Sequence, residues 1–202
     1  MTTATLLSPT LPLTIPYLLM RISVDRFHAM IDKGLFGDGE RCELLDGVLV
    51  AKMNKNPPHA HATRKCHTRL EALELPGWML ISQDPITLAK SEPEPDLAIV
   101  KGHPDDFAAR HPGVGEIALV VEVADSSLVT DRYKATLYAD AMIPHYWIIN
   151  LNDRTIEVYS RIGDGTSPGK YNEPRVYHEG DQIPFEISGR QAELIAARDL
   201  LP

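Results

Sequence analysis

Two carboxylates, Asp96 and Glu122, stand beside short apolar runs of the sequence. Asp96 precedes the run 97–100, and Glu122 lies within the run 117–123. Short apolar runs bounded by glycine, proline and charged residues predict strands that are buried on both faces. An ionised carboxylate at the edge of such a strand is costly unless a positive charge compensates it, and a divalent cation does so compactly. We therefore expect Asp96 and Glu122 to bind a metal ion at a hydrolytic site.

Lys134 follows Glu122 by twelve residues and is the candidate lysine of this site. Residues 127–131 offer capping side chains for a helix, so Lys134 should fall in its first or second turn. At a rise of about 1.5 Å per residue, its long side chain can reach back to the Glu122 strand. There it could position or deprotonate the attacking water, or stabilise charge on a phosphate oxygen. The alternative is an exposed lysine that pairs with Asp131.

Glu43 and two histidines are weaker candidates. Glu43 precedes an Asp46-Gly47 hairpin turn and could join the cluster as a further metal ligand or orienting group. Equally, it could pair with a lysine across the hairpin. His59 and His61 begin a helix after Pro58. Positions i and i+2 do not share a helix face, so the two side chains diverge and cannot bind one metal ion together. Either histidine could instead contact phosphate or serve only structure.

Other lysines are less suited to the catalytic position. Lys101 lies five residues after Asp96, about 16 Å along an extended strand, and should point away from the carboxylates. Lys52 and Lys55 are expected in a separate hairpin, where they would suit contact with a phosphate backbone. Lys134 is therefore predicted to be the lysine of the site.

The composition indicates one globular domain. The chain has 202 residues, of which 44% are hydrophobic, and we expect a single domain over 23–202 after an N-terminal arm over 1–22. The first twenty residues lack Lys and Arg and contain three prolines, which does not fit a secretory signal. Two cysteines are too few for a disulfide framework, so a reduced cytoplasmic setting is expected. No apolar run reaches the roughly 18 residues that span a membrane.

The charge distribution bears on a nucleic-acid partner. The net charge of −8 counts against one, because a basic surface is the usual signature. However, the stretch 48–70 contains no acidic residue and carries five Lys or Arg residues with three histidines. This stretch could form a positive face, or it could simply solvate a strand and a helix.

The hydrophobic pattern predicts an α/β fold, a mixed β-sheet flanked by helices with additional hairpins. Helices are predicted over 24–33, 59–74, 129–142 and, at the end of the chain, 192–198. Strands are predicted over 41–45, 48–53, 78–83, 86–89, 95–100, 117–123, 145–150, 155–160 and 175–177.

Several of these segments together resemble the putative restriction endonuclease family of the PD-(D/E)xK nuclease superfamily. The resemblance extends from about residue 23 to 149 and rests on five segments, 42–47, 57–59, 95–100, 119–123 and 126–147. It implies a restriction-endonuclease-like core in which Asp96 and Glu122 hold Mg²⁺ and a lysine assists the attacking water. That superfamily usually places the lysine two residues after the glutamate, where this chain has Ala124. Lys134 is the natural substitute.

Three functions are therefore open. The first is an endonuclease that uses Mg²⁺, or Mn²⁺, to hydrolyse DNA phosphodiester bonds, with Glu43 supporting the two metal ligands. We expect such an enzyme to be a homodimer, since two-fold symmetry matches the pseudo-symmetry of a duplex. The second is a non-catalytic binding or assembly module that keeps the nuclease fold, which the acidic charge and Ala124 favour. The third is another metal-dependent hydrolase.

Overall fold

A six-stranded mixed sheet forms the centre of the structure, a computed structural model that describes residues 18–161, 169–187 and 190–202. In chain order, the elements are α1 (Val24–Asp32), β1 (Cys42–Leu45), β2 (Val48–Ala51), α2 (Pro57–Glu71), β3 (Trp78–Ile81), β4 (Leu97–Lys101), β5 (Ile117–Ala124), α3 (Leu128–Asp140), β6 (His145–Asn150), β7 (Thr155–Ser160), β8 (Arg175–Tyr177), β9 (Gln182–Ile187) and β10 (Arg190–Ala196). The sheet order is β3-β4-β5-β6-β7-β8. This architecture confirms the predicted mixed sheet flanked by helices, with separate hairpins β1-β2 and β9-β10.

The central strands place the two predicted carboxylates side by side. All eight residues of β5 are buried, as the apolar run predicted. β4 pairs antiparallel with β5, with Leu97 opposite Val121. Asp96, one residue before β4, therefore comes beside Glu122. β5 and β6 are parallel, and α3 makes the connection between them.

Helices α2 and α3 cover opposite faces of the sheet. Residues Ala62, Cys66 and Leu70 of α2 share one buried cluster with Val121 and Val123 of β5. Ala135 and Tyr138 of α3 share another with Val120 and Ala124. Because side chains alternate along a strand, Glu122 points to the same face as its even-numbered neighbours. Glu122 thus faces α3, the helix that carries Lys134.

The β1-β2 hairpin brings a third carboxylate toward this region. Its turn residues Asp46 and Gly47 have φ values of 46° and 77°, as the Asp-Gly pair predicted. A Cβ on Gly47 would approach the Arg21 side chain to 2.7 Å, so the turn also needs glycine for space. Leu44 of β1 exchanges backbone hydrogen bonds with Glu92. These bonds fix Glu43 close to the segment that leads to Asp96.

Two element predictions are wrong. The predicted terminal helix over 192–198 is instead strand β10 followed by a single 3₁₀ turn, Ala197–Asp199. Its weak local preference for helix yields to antiparallel pairing with β9, since tertiary context overrides helix propensity. Residues 86–89 form a loop with one isolated bridge, Thr87–Gly113. Their backbone bonds close locally, from Ile86 N to Pro93 O and from Leu88 N to Ser91 O.

A pair of neighbouring substitutions tests the strand assignment of β10. Ile195 is fully buried, whereas Leu194 is 51% exposed. We expect Ile195→Ala to lower the free energy of unfolding by about 2–5 kcal/mol, because it leaves a cavity in the core. Leu194→Ala should change it by about 0.5 kcal/mol or less. Urea denaturation of both variants measures the difference, and equal losses would contradict the strand pairing.

The predicted N-terminal arm, 1–22, falls largely outside the described residues. The arm, the expected homodimer and the single domain over 23–202 therefore stay predictions. Among the described residues, no helix combines the length and apolar character needed to cross a membrane.

Candidate active site

Asp96 and Glu122 lie together at the end of the central strands, where both side chains are buried. The backbone N–H of Val123 donates to Asp96 Oδ2 at 2.9 Å, and the N–H of Asp96 donates to Glu122 Oε2 at 3.4 Å. The two strands thus hold each other's carboxylates in place. Removing these bonds would require the sheet itself to shift, so the carboxylate pair is pre-organised by the fold.

Lys134 joins this pair from the second turn of α3. Its Nζ lies 3.0 Å from Glu122 Oε1 and 2.9 Å from Glu43 Oε1. The side chain is 6% exposed, so the alternative of an exposed helical lysine does not describe it. Burial by itself would lower the pKa of Lys134, but the charges of Glu122 and Glu43 raise it. Lys134 is therefore a fixed cation that bridges two buried carboxylates.

Glu43 reaches the cluster from the hairpin strand β1. Its Oε2 accepts from the backbone N–H of Glu94 at 3.2 Å, while both of its oxygens lie near Lys134 Nζ. The alternative of a cross-strand partner in the hairpin is not realised, since the lysine that Glu43 contacts belongs to α3. The structure thus brings Glu43, Asp96, Glu122 and Lys134 into one group.

The surroundings of Glu122 disfavour the ionised form of its carboxyl group. Burial, with repulsion from Asp131, Asp96 and Glu43, raises the pKa of Glu122 to about 8 despite the attraction of Lys134. The Tyr138 hydroxyl, one helical turn beyond Lys134, donates to Glu122 Oε1 at 3.2 Å. A further positive charge near Glu122 would therefore favour its ionised form.

Asp131 is a further buried acid, which the sequence indicated only as a helix cap or as a surface partner of Lys134. Its Oδ2 accepts from the Ser127 hydroxyl at 2.5 Å. Burial raises the pKa of Asp131 to about 6, with Asp96 and Glu43 adding repulsion. A polar residue in the first turn of a helix gives no sign in sequence that it will face a buried cluster.

Lys55 and His59 hold the other side of Asp96, a contact that the sequence did not indicate. Lys55 Nζ lies 2.8 Å from Asp96 Oδ1, and His59 Nε2 lies 3.1 Å from Oδ2. Burial would raise the pKa of Asp96, but the hydrogen bond and charge of His59, with the charge of Lys55, lower it to about 2. Asn56 caps α2 by accepting from His59 N at 3.0 Å. This cap orients the first turn of α2 so that His59 reaches the Asp96 carboxylate.

The remaining lysines occupy distinct positions. Lys52 pairs with Glu94 at 2.7 Å and lines the same cavity as Lys55. The expectation that both lie in a hairpin separate from the site is therefore wrong, because the chain after β2 folds back over Asp96. Lys101 is exposed at the far end of β4, opposite Trp78.

These side chains line a cavity of about 140 Å³. Its wall contains more acids than bases, namely six carboxylates (Glu43, Glu94, Asp96, Glu122, Asp125 and Asp131) against three lysines and His59. Carboxylate oxygens are the donors that Mg²⁺ prefers, and the excess negative charge favours a cation. The donor chemistry of the cavity therefore fits a divalent metal.

The arrangement is not a closed protein cage. Across the described ranges, no group of three or more His, Cys, Asp or Glu side chains has a metal-holding arrangement. Mg²⁺ does not need one, since it is usually bound by one or two carboxylates and completes its shell with water and substrate phosphate. Asp96 and Glu122 are the pair that would hold it.

Comparisons with known proteins place this geometry in context. The family model Uma2, described as "Putative restriction endonuclease", matches residues 24–194. A crystal structure of a putative nuclease belonging to DUF820 from Anabaena variabilis is similar, with a TM-score of 0.61 at 17% identity. The match covers 89% of this chain and 97% of that one, and at this identity it shows the fold. No curated protein matches the sequence.

Proposed function

Since the chain belongs to the Uma2 family of putative restriction endonucleases, as its motifs predicted, we propose that it is a Mg²⁺-dependent endonuclease of DNA. The observation that carries the proposal is a buried carboxylate pair beside a buried lysine, Asp96, Glu122 and Lys134, at the wall of an acidic cavity. Such an accumulation of charge is costly to stability, and clusters of this kind concentrate at functional sites.

In this mechanism, Asp96 and Glu122 would hold the metal, and Glu43 would support them through Lys134. A divalent metal bound there would supply Lewis acidity toward water and toward the scissile phosphate. The two strands orient the carboxylates, because each carboxylate accepts from the backbone of the other strand. Mn²⁺ has similar oxygen preferences and could replace Mg²⁺.

Lys134 acts as a cation in this proposal. The charges of Glu122 and Glu43 raise its pKa, so the amine keeps its proton and does not serve as the base. Its Nζ can instead donate to the attacking water and stabilise negative charge that develops on a phosphate oxygen. Of the roles considered from the sequence, charge stabilisation and positioning are retained.

The basic stretch 48–70 contributes only in part to a nucleic-acid surface. Lys65 donates to the backbone oxygen of Arg198, and Arg69 pairs with Glu193, so these two residues tie α2 to the end of the chain. Lys52 and Lys55, in contrast, line the cavity. We propose that the basic residues at the cavity, rather than the whole stretch, meet the DNA backbone.

Incubation with supercoiled plasmid tests the proposed function. We expect nicked and linear DNA in the presence of Mg²⁺ or Mn²⁺, and no product when EDTA removes the metal. The rival, a non-catalytic module that keeps the fold, predicts no cleavage and no Mn²⁺ binding by calorimetry. Mn²⁺ binding without cleavage of plasmid or single-stranded DNA would instead indicate a different metal-dependent hydrolase.

A further inference from the structure

We propose that Lys55 occupies the cation position at Asp96 in the metal-free protein and transfers to a substrate phosphate when a divalent metal binds. The inference rests on the proposed function and adds to it a residue that couples metal binding to DNA binding. The two carboxylate oxygens of Asp96 have different partners. Oδ2 is held by Val123 N and His59, whereas Oδ1 is the oxygen that Lys55 contacts at 2.8 Å.

A metal that binds Asp96 must compete with Lys55. Both are cations that seek the same carboxylate oxygen, and a divalent ion beside the Lys55 ammonium would repel it. Asp96 cannot turn to present another oxygen freely, because Val123 N and His59 fix Oδ2. Binding of the metal at Asp96 therefore expels Lys55 from its present partner.

Lys55, unlike Lys134, is free to move away from its carboxylate partner. The Lys134 side chain is 6% exposed and lies between two carboxylates, so it is enclosed from both sides. The Lys55 side chain is 21% exposed and pairs with Asp96 alone among the contacts that the structure gives it. Lys55 also lies in the connection between β2 and α2, where its flexible stem can swing toward the cavity mouth.

A phosphate is the partner that the expelled ammonium would find. A DNA backbone that enters the cavity brings negative charge to the same wall, and a lysine is a mobile point charge suited to phosphate. The metal thus frees a phosphate-binding group, and the phosphate stabilises the expelled state. Because such coupling is reciprocal, metal and DNA should each increase the affinity of the protein for the other.

The variant Lys55→Gln allows metal binding and DNA binding to be tested separately. Without DNA, we expect it to bind Mn²⁺ about fivefold to tenfold more tightly by calorimetry, because the competing ammonium is gone. In Ca²⁺ at low temperature, it should bind a short duplex about fivefold to tenfold more weakly by fluorescence anisotropy. Lys52→Gln is the matched control, since it removes the same charge from the same cavity wall but pairs with Glu94.

The exchange predicts that Lys55→Gln gains Mn²⁺ affinity and loses duplex affinity, and this combination distinguishes it from a general effect of charge. Lys52→Gln should leave Mn²⁺ affinity within about twofold of the wild type, which corrects for the change in overall charge. Unchanged or weaker Mn²⁺ binding by Lys55→Gln, or an equal gain in Lys52→Gln, would overturn the exchange. A wild-type protein that binds Mn²⁺ but no duplex would count against the proposed function, whereas the Mn²⁺ measurement would still decide whether Lys55 competes.

Discussion

Replacing Lys134 with methionine is expected to abolish DNA cleavage and to lower the free energy of unfolding by about 3–5 kcal/mol in metal-free buffer. The large loss of stability follows because Glu43 and Glu122 are both buried and lose the cation between them. Added Mn²⁺ should recover part of the lost stability, since it replaces the missing positive charge.

The double variant Lys134→Met/Glu122→Gln serves as the control for that result. It removes the ionisable group of Glu122 together with its partner, so it should be more stable than Lys134→Met alone, a coupling that a double-mutant cycle measures. Cleavage should remain absent in both variants. A Lys134→Met protein that unfolds at the wild-type denaturant concentration would show that the buried ion pair contributes nothing, and retained cleavage would remove Lys134 from the mechanism.

The Glu122→Gln variant is expected to lose cleavage by at least about a thousandfold while its stability at pH 8 is maintained or increased. The loss follows from removal of a metal ligand. The stability follows from the pKa of Glu122, which is raised to about 8 from an ordinary value of 4.5. Between these values the folded protein keeps a proton that the unfolded chain releases, so the wild type loses stability as the pH rises.

The pH dependence of unfolding makes the Glu122 prediction quantitative. In metal-free buffer, this group should contribute a slope of up to about −1.4 kcal/mol per pH unit. Asp131, with its pKa raised to about 6, contributes in the same direction at lower pH, so the comparison belongs between pH 6 and 8. Glu122→Gln should flatten the slope there. A variant with the wild-type slope would show that Glu122 is ionised throughout that range.

Much of the fold followed from local patterns in the sequence. The apolar run around Glu122 predicted a strand buried on both faces, and the Asp46-Gly47 pair predicted a tight turn. Both depend on neighbouring residues along the chain. The hairpin β9-β10 was missed because its strand character comes from pairing with a partner segment, and a short sequence with weak preference for helix does not reveal that partner.

The residues of the site show the same difference between local and long-range information. The prediction that Lys134 could reach back toward Glu122 needed only helix geometry and side-chain length. The contacts of Lys55 and His59 with Asp96 depend on how the chain after β2 folds over a strand 41 residues away. Such long-range contacts are not encoded in local spacing, so the sequence predicted a phosphate contact for Lys55 and left the role of His59 open.

Plasmid cleavage by the wild type and Asp96→Asn, purified side by side and assayed in Mg²⁺, tests the central claim most directly. Asparagine has nearly the same size and keeps an oxygen for the Val123 N–H, which now donates to Asp96 Oδ2, so the fold should be retained. The wild type is predicted to nick the plasmid and Asp96→Asn to leave it supercoiled. Equal nicking by both proteins would contradict the proposed site.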